Sequence, residues 1–528
     1  MAALLNWDIL LYTLNFVEER DDIARLMRTN RTFYGPCLRW LLTSDIYIGT
    51  EWPKQVNSFC RFILNHPERA VQVRELSFWG SFLVYRPWQS RKEAAGELEK
   101  VLRLCTNLES IHIERSEPFF SFKELFMAVS ECTSLKVISI LAVGLRACRA
   151  ISAMKCAIRC ATISYEPEEG ESPATTPLHL ECEPYRMLHR FRQHLTEVNV
   201  ISSYYREPMD VGLEFPLVDT LGVESENWVW DPLFFIKSFP NARVLNFVGQ
   251  DPEESEAVSV ARQHRLQRIA DGLAVGSVPL PSWKSVDVLS CDVSRAYALA
   301  LTCPVRLWED VSLTTVPKIQ EFQTVVEDIK PRHLSMSVKV PSFTLPQLTG
   351  IFTSEMVSLT HLAVIFDLIP RSLDPDSTLF ISSDFDSFLD SIRIALQNLR
   401  LVQLVVMIQY DFVQVHFDTP STSSAATPPT VTALARERMR HVAQQVDLLE
   451  NVLSVMDVPA FADAIGESMP QIEHLSFHFT DEHQPVSSWS FVREGKEKGE
   501  GELLPLIPEV QSSQNVLRES PFLNYYLQ

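Results

Sequence analysis

The apolar positions of the first forty residues keep a helical spacing. Leu5, Ile9, Leu10, Leu14 and Val17 fall on one face, with Asn6 placed to cap the first turn. The charged cluster Glu18-Glu19-Arg20-Asp21 breaks the pattern. Asp21 or Asp22 then caps a second helix carrying Ile23, Leu26 and Met27, and Thr29-Asn30 interrupts again. Phe33, Cys37, Leu38, Leu41 and Leu42 lie along a third helix. Three such short helices bury too little apolar surface to be stable alone, so they need a partner or a neighbouring domain.

Beyond this module the pattern changes. Cys105–Ile113 (CTNLESIHI) and Cys132–Ile140 (CTSLKVISI) are nearly the same nine residues, 27 positions apart (132 minus 105). Helical spacing precedes each, over 94–104 and 122–129, so the unit is helix, tight turn, short strand, and it repeats. The strand carries apolar residues at k, k+3 and k+5. The register reads Val73/Leu76/Phe78, Leu108/Ile111/Ile113, Leu135/Ile138/Ile140, Leu195/Val198/Val200, Val218/Leu221/Val223 and Ala242/Leu245/Phe247. It continues at Trp283/Val286/Val288, Pro331/Leu334/Met336, Leu359/Leu362/Val364, Leu399/Val402/Leu404 and Ile472/Leu475/Phe477. Weaker units fall at Ile158/Ala161/Ile163 and near Val305/Leu307. Phe215-Pro216, Phe239-Pro240 and Met469-Pro470 mark helix ends just before strand registers.

Alternation makes k+4 and k+6 face away from the core. Those positions include Trp79, His112, Glu114, Asn199, Glu224, Asn246, Asp287, Gln403 and His478, a hydrogen-bonding, acid-biased surface with an aromatic anchor. For any one of them, plain solvent exposure of a strand residue is the simpler explanation. For the surface as a whole, recognition is the better one.

Composition narrows the functional classes. At 528 residues the chain exceeds one ordinary core, and 46% hydrophobic residues suit a folded protein. A net charge of −20 repels phosphate backbones, and no basic patch offsets it, which argues against nucleic acid. No apolar run reaches the ~20 residues of a membrane span, and no secretory signal is evident. The ten cysteines are scattered without metal-ligand spacing, so buried reduced thiols and a cytosolic or nuclear location are expected. Dinucleotide and phosphate loops, a G-x-S-x-G elbow and a zinc helix are all absent. Asp374, Asp376, Asp384 and Asp386 lack the loop of a calcium site, and His474 and His478 lack a third ligand. Neither an enzymatic role nor a cofactor is expected.

The first helices resemble an F-box. Leu5, Asp8, Ile9 and Leu10 stand at that family's Leu-Pro-x-Glu-Ile-Leu, with Asn6 at the Pro. Asp22, Ile23 and Leu26 stand at Asp-Leu-x-x-Leu, and Thr29, Asn30, Arg31 and Phe33 at Val-Ser-Arg-x-Phe. The remainder resembles an irregular leucine-rich-repeat domain, lacking the Asn or Cys ladder after each strand. A doubly wound sheet would show an early Gly-rich turn, and none is present.

The expectation is therefore an α/β chain in which a three-helix F-box is followed by a repeat solenoid, with parallel strands on the concave face and helices outside. Its divisions would be 1–43, 44–480 and a C-terminal cap or tail at 481–528, with insertions near 166–177, 251–276 and 418–432. The resemblance implies the substrate-recognition subunit of an SCF-type ubiquitin ligase. It would dock on a Skp-type adaptor through Leu5, Ile9, Leu10, Leu14, Ile23, Leu26 and Phe33, and hold a protein substrate on the repeat surface. Two rivals are a repeat scaffold without a ligase role and an enzyme with a dispersed site.

Overall fold

A computed structural model of the chain describes residues 12, 14–17, 19–50, 53–82, 86–165, 183–202, 212–225, 232–249, 254–274, 282–368, 385–409, 456–481, 484–493 and 503–506. The expected insertions at 166–177 and 418–432 lie outside them. By internal contacts the chain forms two units. The first is Met1–Arg243 with Val248–Gln250, and the second is Val244–Phe247 with Asp251–Gln528.

In the first unit, α1 (Arg20–Thr29) and α2 (Arg31–Thr43) follow a 3-10 turn at Leu14–Phe16. Glu19, not Asp21 or Asp22, sits at the N-cap of α1, and both aspartates lie in its first turn, where the helix dipole favours them. Asn30 caps α2 by accepting from the Thr32 N–H at 2.9 Å. Strand β1 (Ile46–Gly49) follows at once, then α3 (Pro53–Leu64), β2 (Glu75–Trp79), α4 (Trp88–Leu104) and β3 (Ser110–Ile113). Next come α5 (Ser116–Phe120), α6 (Lys123–Glu131), β4 (Val137–Ile140), α7 (Leu145–Ala153), β5 (Cys160–Tyr165) and α8 (Pro184–Leu188). β6 (Glu197–Ser202), β7 (Thr220–Ser225) and α9 (Pro232–Ser238) complete it. β1 to β7 pair in chain order, all parallel.

The second unit holds β8 (Val244–Val248), α10 (Glu254–Ala274), β9 (Val286–Cys291), α11 (Val293–Leu299), β10 (Val305–Leu313) and α12 (Val316–Ile329). β11 (His333–Lys339), α13 (Leu345–Thr349), β12 (His361–Asp367), α14 (Phe385–Leu396) and β13 (Gln403–Gln409) follow. It ends with α15 (Val458–Ser468), β14 (His474–Asp481), β15 (Gln484–Arg493) and β16 (Leu503–Leu506). β8 to β14 are parallel and in chain order, whereas β15 pairs antiparallel with β14 and β16 antiparallel with β15. α10 fills most of the 251–276 insertion. Among the described residues no helix is long and apolar enough to cross a membrane.

The k+3 positions align strand by strand, Ile46–Leu76–Ile111–Ile138–Ala161–Val198–Leu221 in one unit and Leu245–Leu289–Trp308–Leu334–Leu362–Leu404–Leu475 in the other. From Leu76 onward, all of the first row are buried, as is the whole second row. Helices cover this side: Phe78 meets Phe119, Trp308 meets Phe322, Phe366 meets Phe388 and Phe477 meets Phe461. No repeat could hide such a row alone, so stability comes from stacking of neighbours.

What replaces the missing ladder lies before the strands. The k+1 carbonyl accepts two N–H groups from the next repeat. Arg74 accepts from Glu109 and Ser110 at 2.8 and 3.0 Å, and Glu109 from Lys136 and Val137 at 2.8 and 3.0 Å. In the second unit Arg332 accepts from Thr360 and His361, Thr360 from Val402 and Gln403, and Val402 from Glu473 and His474, all at 2.8–3.1 Å. Side-chain amides at k−1 add ties: Asn107 to the Val71 carbonyl, Asn241 to that of Pro216 and Gln471 to that of Leu399, at 2.8, 2.8 and 3.0 Å.

Strand pairing and burial correct three registers. β9 buries Val286, Leu289 and Cys291, and pairs Leu289 with Leu245, so the core set is three residues later than Trp283/Val286/Val288. β13 buries Leu401, Leu404 and Val406, with Leu404 against Leu362, two later than Leu399/Val402/Leu404. In β10 the core residue is Trp308, not Leu307, and a bulge separates it from Val311. β1 was not expected at all, because its k position is Thr43, a polar residue.

Lys330, the exposed C-cap of α12, has φ 46°, the left-handed region. Lys330→Gly should add roughly 0.5–1 kcal/mol, read as a higher urea midpoint at unchanged m-value.

Candidate interaction surfaces

The module has its own small core. Leu14, Ile23, Phe33 and Cys37 are buried together, with Val17, Leu26, Met27, Trp40 and Leu41 packed around them. Arg20 Nη2 donates to the Leu41 carbonyl at 3.2 Å and ties the start of α1 to the end of α2. Leu14, Ile23 and Phe33 were expected to meet an adaptor. Instead they face inward, because the turn and the two short helices exclude water by packing these apolar groups together. Leu26 is half-buried at the rim. Leu5, Ile9 and Leu10 lie outside the described residues. Among the described residues the module's large exposed apolar groups are Tyr12 (62% exposed), Phe16 (68%) and Tyr34 (44%). The first two rings meet edge-on at 5.2 Å.

On β1 to β7, the face away from the helices shows three rings in a column. Tyr47 stacks on Trp79 at 5.4 Å, and Trp79 on His112 at 4.7 Å. His112 Nδ1 and the Ser139 hydroxyl share a hydrogen bond of 2.8 Å. The Trp79 Nε1 donor and the ring nitrogen His112 Nε2 are buried without a partner. Carboxylates flank the column on both sides. Asp45 accepts from the Ser77 hydroxyl at 2.7 Å, and Glu114 accepts from the Gly80 N–H. Burial lowers the His112 pKa, against the opposing pull of Asp45 and Glu114. Burial, then Asp45 and Glu109, raises that of Glu75. Further along, Asn199 donates to Glu197 at 2.8 Å, and Gly222 leaves it room, since a Cβ there would lie 2.1 Å from its Oδ1. Glu224 is exposed.

The second unit's equivalent face carries a different set. Asn246 registers with Ser290, and its Oδ1 is buried without a partner. Ser290 registers with Glu309 and donates to Asp310 across the β10 bulge, where Asp310 has φ 61°. Bulges re-aim side chains in this way. Burial, then Asp310, pushes the Glu309 carboxyl up to about 7. His333, His361, Gln403 and His474 share one cross-strand row, with the first two rings 4.2 Å apart. Burial first, then His361, Arg306 and Arg332, brings His333 down to about 4. His478 is 5% exposed, and burial brings it down to about 4.

Three expected surface positions are thereby revised. Asp287 shares the parity of Leu289, not of the open face, so Ser290 takes its place. Gln403 does face away from the core, but at k+2. His478 has the expected parity and is nevertheless buried. Trp79, His112, Glu114, Asn199 and Asn246 are half-buried. Sequence reading missed Tyr47, Ser290, Glu309 and Asp310. The alternation Ile46-Tyr47-Ile48 was the available signal for the first.

Cys37, Cys60, Cys105, Cys132, Cys156, Cys160, Cys291 and Cys303 carry free thiols. Burial pushes the thiols of Cys60 and Cys105 up to about 12, which keeps them protonated and unreactive. No group of His, Cys, Asp and Glu among these residues could hold a metal. Comparison of the sequence with models of known protein families and with curated proteins finds no match.

Proposed function

We propose that this chain is a substrate-receptor subunit of an SCF-type ubiquitin ligase, binding a Skp-type adaptor through its N-terminal helices and a protein substrate on the open face of its repeats. The observation that carries the reading is the module's division of labour. Its own core is satisfied internally, while Tyr12, Phe16 and Tyr34 remain in solvent ahead of a repeat sheet. Exposed apolar groups on a helical module are what docking needs. The receptor would work by proximity: fixing the substrate near a remote active site raises its effective concentration without local chemistry.

Co-purification with a Skp adaptor tests this, against a Tyr12→Asp, Phe16→Asp variant. Both side chains are exposed, so the fold should survive while adaptor binding falls at least ~10-fold, the loss of two apolar contacts at about 1 kcal/mol or more each. Equal binding by both proteins would move the contact elsewhere, and no binding by the parent chain would end the ligase reading. A scaffold reading has one observation in its favour: α2 packs on the turn at Pro67–Gln72 and runs directly into β1, as an end-cap would.

A further inference from the structure

We propose that the Tyr47–Trp79–His112 column is a binding site for an arginine-bearing extended peptide, with the guanidinium seated on the exposed face of Tyr47 between carboxylates. This names the class of substrate for the receptor reading. Its physiological meaning rests on that reading, whereas the binding does not.

Three observations converge. The first is the stack itself. Tyr47 is 60% exposed, yet it is held flat against Trp79 at 21° between ring planes, so a rigid aromatic face stands ready in water. Exposed rings ordinarily rotate; this one is pinned by the ring behind it. Planar guanidinium groups stack on such faces, by cation–π attraction and with little loss of hydration.

The second is charge. On this face the strand order places Asp45 and Glu75 on one side of the rings and Glu114 on the other. Arg74 and Lys136, at k+1 of their repeats, are engaged by Glu109. Asp45 sits two residues before Tyr47 on the same face, ~7 Å along the strand, within reach of a guanidinium stacked on the ring. An anion here would meet several carboxylates, so the occupant carries positive charge.

The third is hydrogen bonding. Trp79 Nε1 can only donate, and its proton has no acceptor. His112 Nε2 also lacks a partner. A buried donor left unmade costs roughly 1–3 kcal/mol, and a peptide lying across the column brings a main-chain carbonyl to the indole N–H. Cation for the rings and carboxylates, a carbonyl for the indole N–H: a peptide with arginine supplies both.

The test uses the full chain without adaptor, 15N-labelled at its tryptophans. The indole N–H resonance of Trp79 is assigned by its loss in Trp79→Phe. The probe is acetyl-Gly-Ser-Arg-Gly-Ser-Arg-Gly-Ser-amide, compared with the same peptide containing citrulline, the neutral isostere, at both arginines. Expected is a saturable shift of the Trp79 indole, with binding at least ~5-fold weaker for the citrulline peptide, for Tyr47→Ala, and for Asp45→Asn with Glu75→Gln, the size of one partly exposed cation contact. An unmoved Trp79 resonance at saturating arginine peptide would overturn the proposal, and so would equal affinity for both peptides. Because no adaptor is present, failure here leaves the adaptor test standing, and failure of the adaptor test leaves this site standing.

Discussion

Trp308→Ala is expected to destabilise the second unit by about 4 kcal/mol, the upper range for deleting a buried aromatic. Trp308 is fully buried, stacks on Phe322 at 5.7 Å, and joins Leu289 to Leu334 in the core row. Its Nε1 also donates to the Cys291 carbonyl at 3.1 Å, so truncation leaves a cavity and an orphan acceptor together. Trp308→Phe keeps most of the packing and should cost roughly half as much. Because repeats stack on nearest neighbours, amide exchange should quicken first in β9 to β11. A urea midpoint shifted by less than about 1 kcal/mol equivalent would mean that the bulge, not the tryptophan, organises this repeat.

Acid should destabilise the second unit over a defined range. In the unfolded chain a histidine takes up its proton near pH 6.5, whereas folded His478 and His333 do so only at about 4. Between these values the unfolded state binds more protons. Stability is therefore full above pH ~6.5 and falls as pH drops, by about 2 kcal/mol at pH 5 for His478 alone. His361 shifts the same way, lowered by burial and by His474. Glu309 acts oppositely: its carboxyl is raised to about 7, so its contribution is full below ~4.5 and is lost as pH rises through 7. Thermal unfolding of the full chain at pH 7 and pH 5, with and without His478→Gln, measures the first effect. The variant should lose about one proton of the acid slope, and an unchanged slope would show that His478 is protonated in the fold.

How far the sequence could be read depended on how many ways each segment could satisfy its own pattern. Leu108/Ile111/Ile113 and Leu135/Ile138/Ile140 sit in two near-identical segments, and that identity leaves one register. Around β9 two registers satisfy the same rule, one starting at Trp283 and one at Val286, and around β13 the same holds for Leu399 and Leu401. Local hydrophobicity cannot separate them. Only the hydrogen bonds to neighbouring strands do, and in β13 the decisive one is the Val402 carbonyl receiving Glu473 and His474. The bulge after Trp308 is invisible for the same reason, since it is defined by its partner strand.

By itself the sequence determined the alternation of helix and strand, the parallel repeat order and most of the buried rows, because those follow from side-chain periodicity within each segment. It also located an N-terminal helical module. Tertiary structure alone decided which faces of that module are free. Leu14, Ile23 and Phe33 have the same amphipathic spacing whether they meet an adaptor or each other, and the fold turns them inward. It alone brought Tyr47, Trp79 and His112 into one column, since residues of three different strands become neighbours only when those strands pair in register. Periodicity fixes what a segment must bury. Pairing across segments fixes what is left to face a partner.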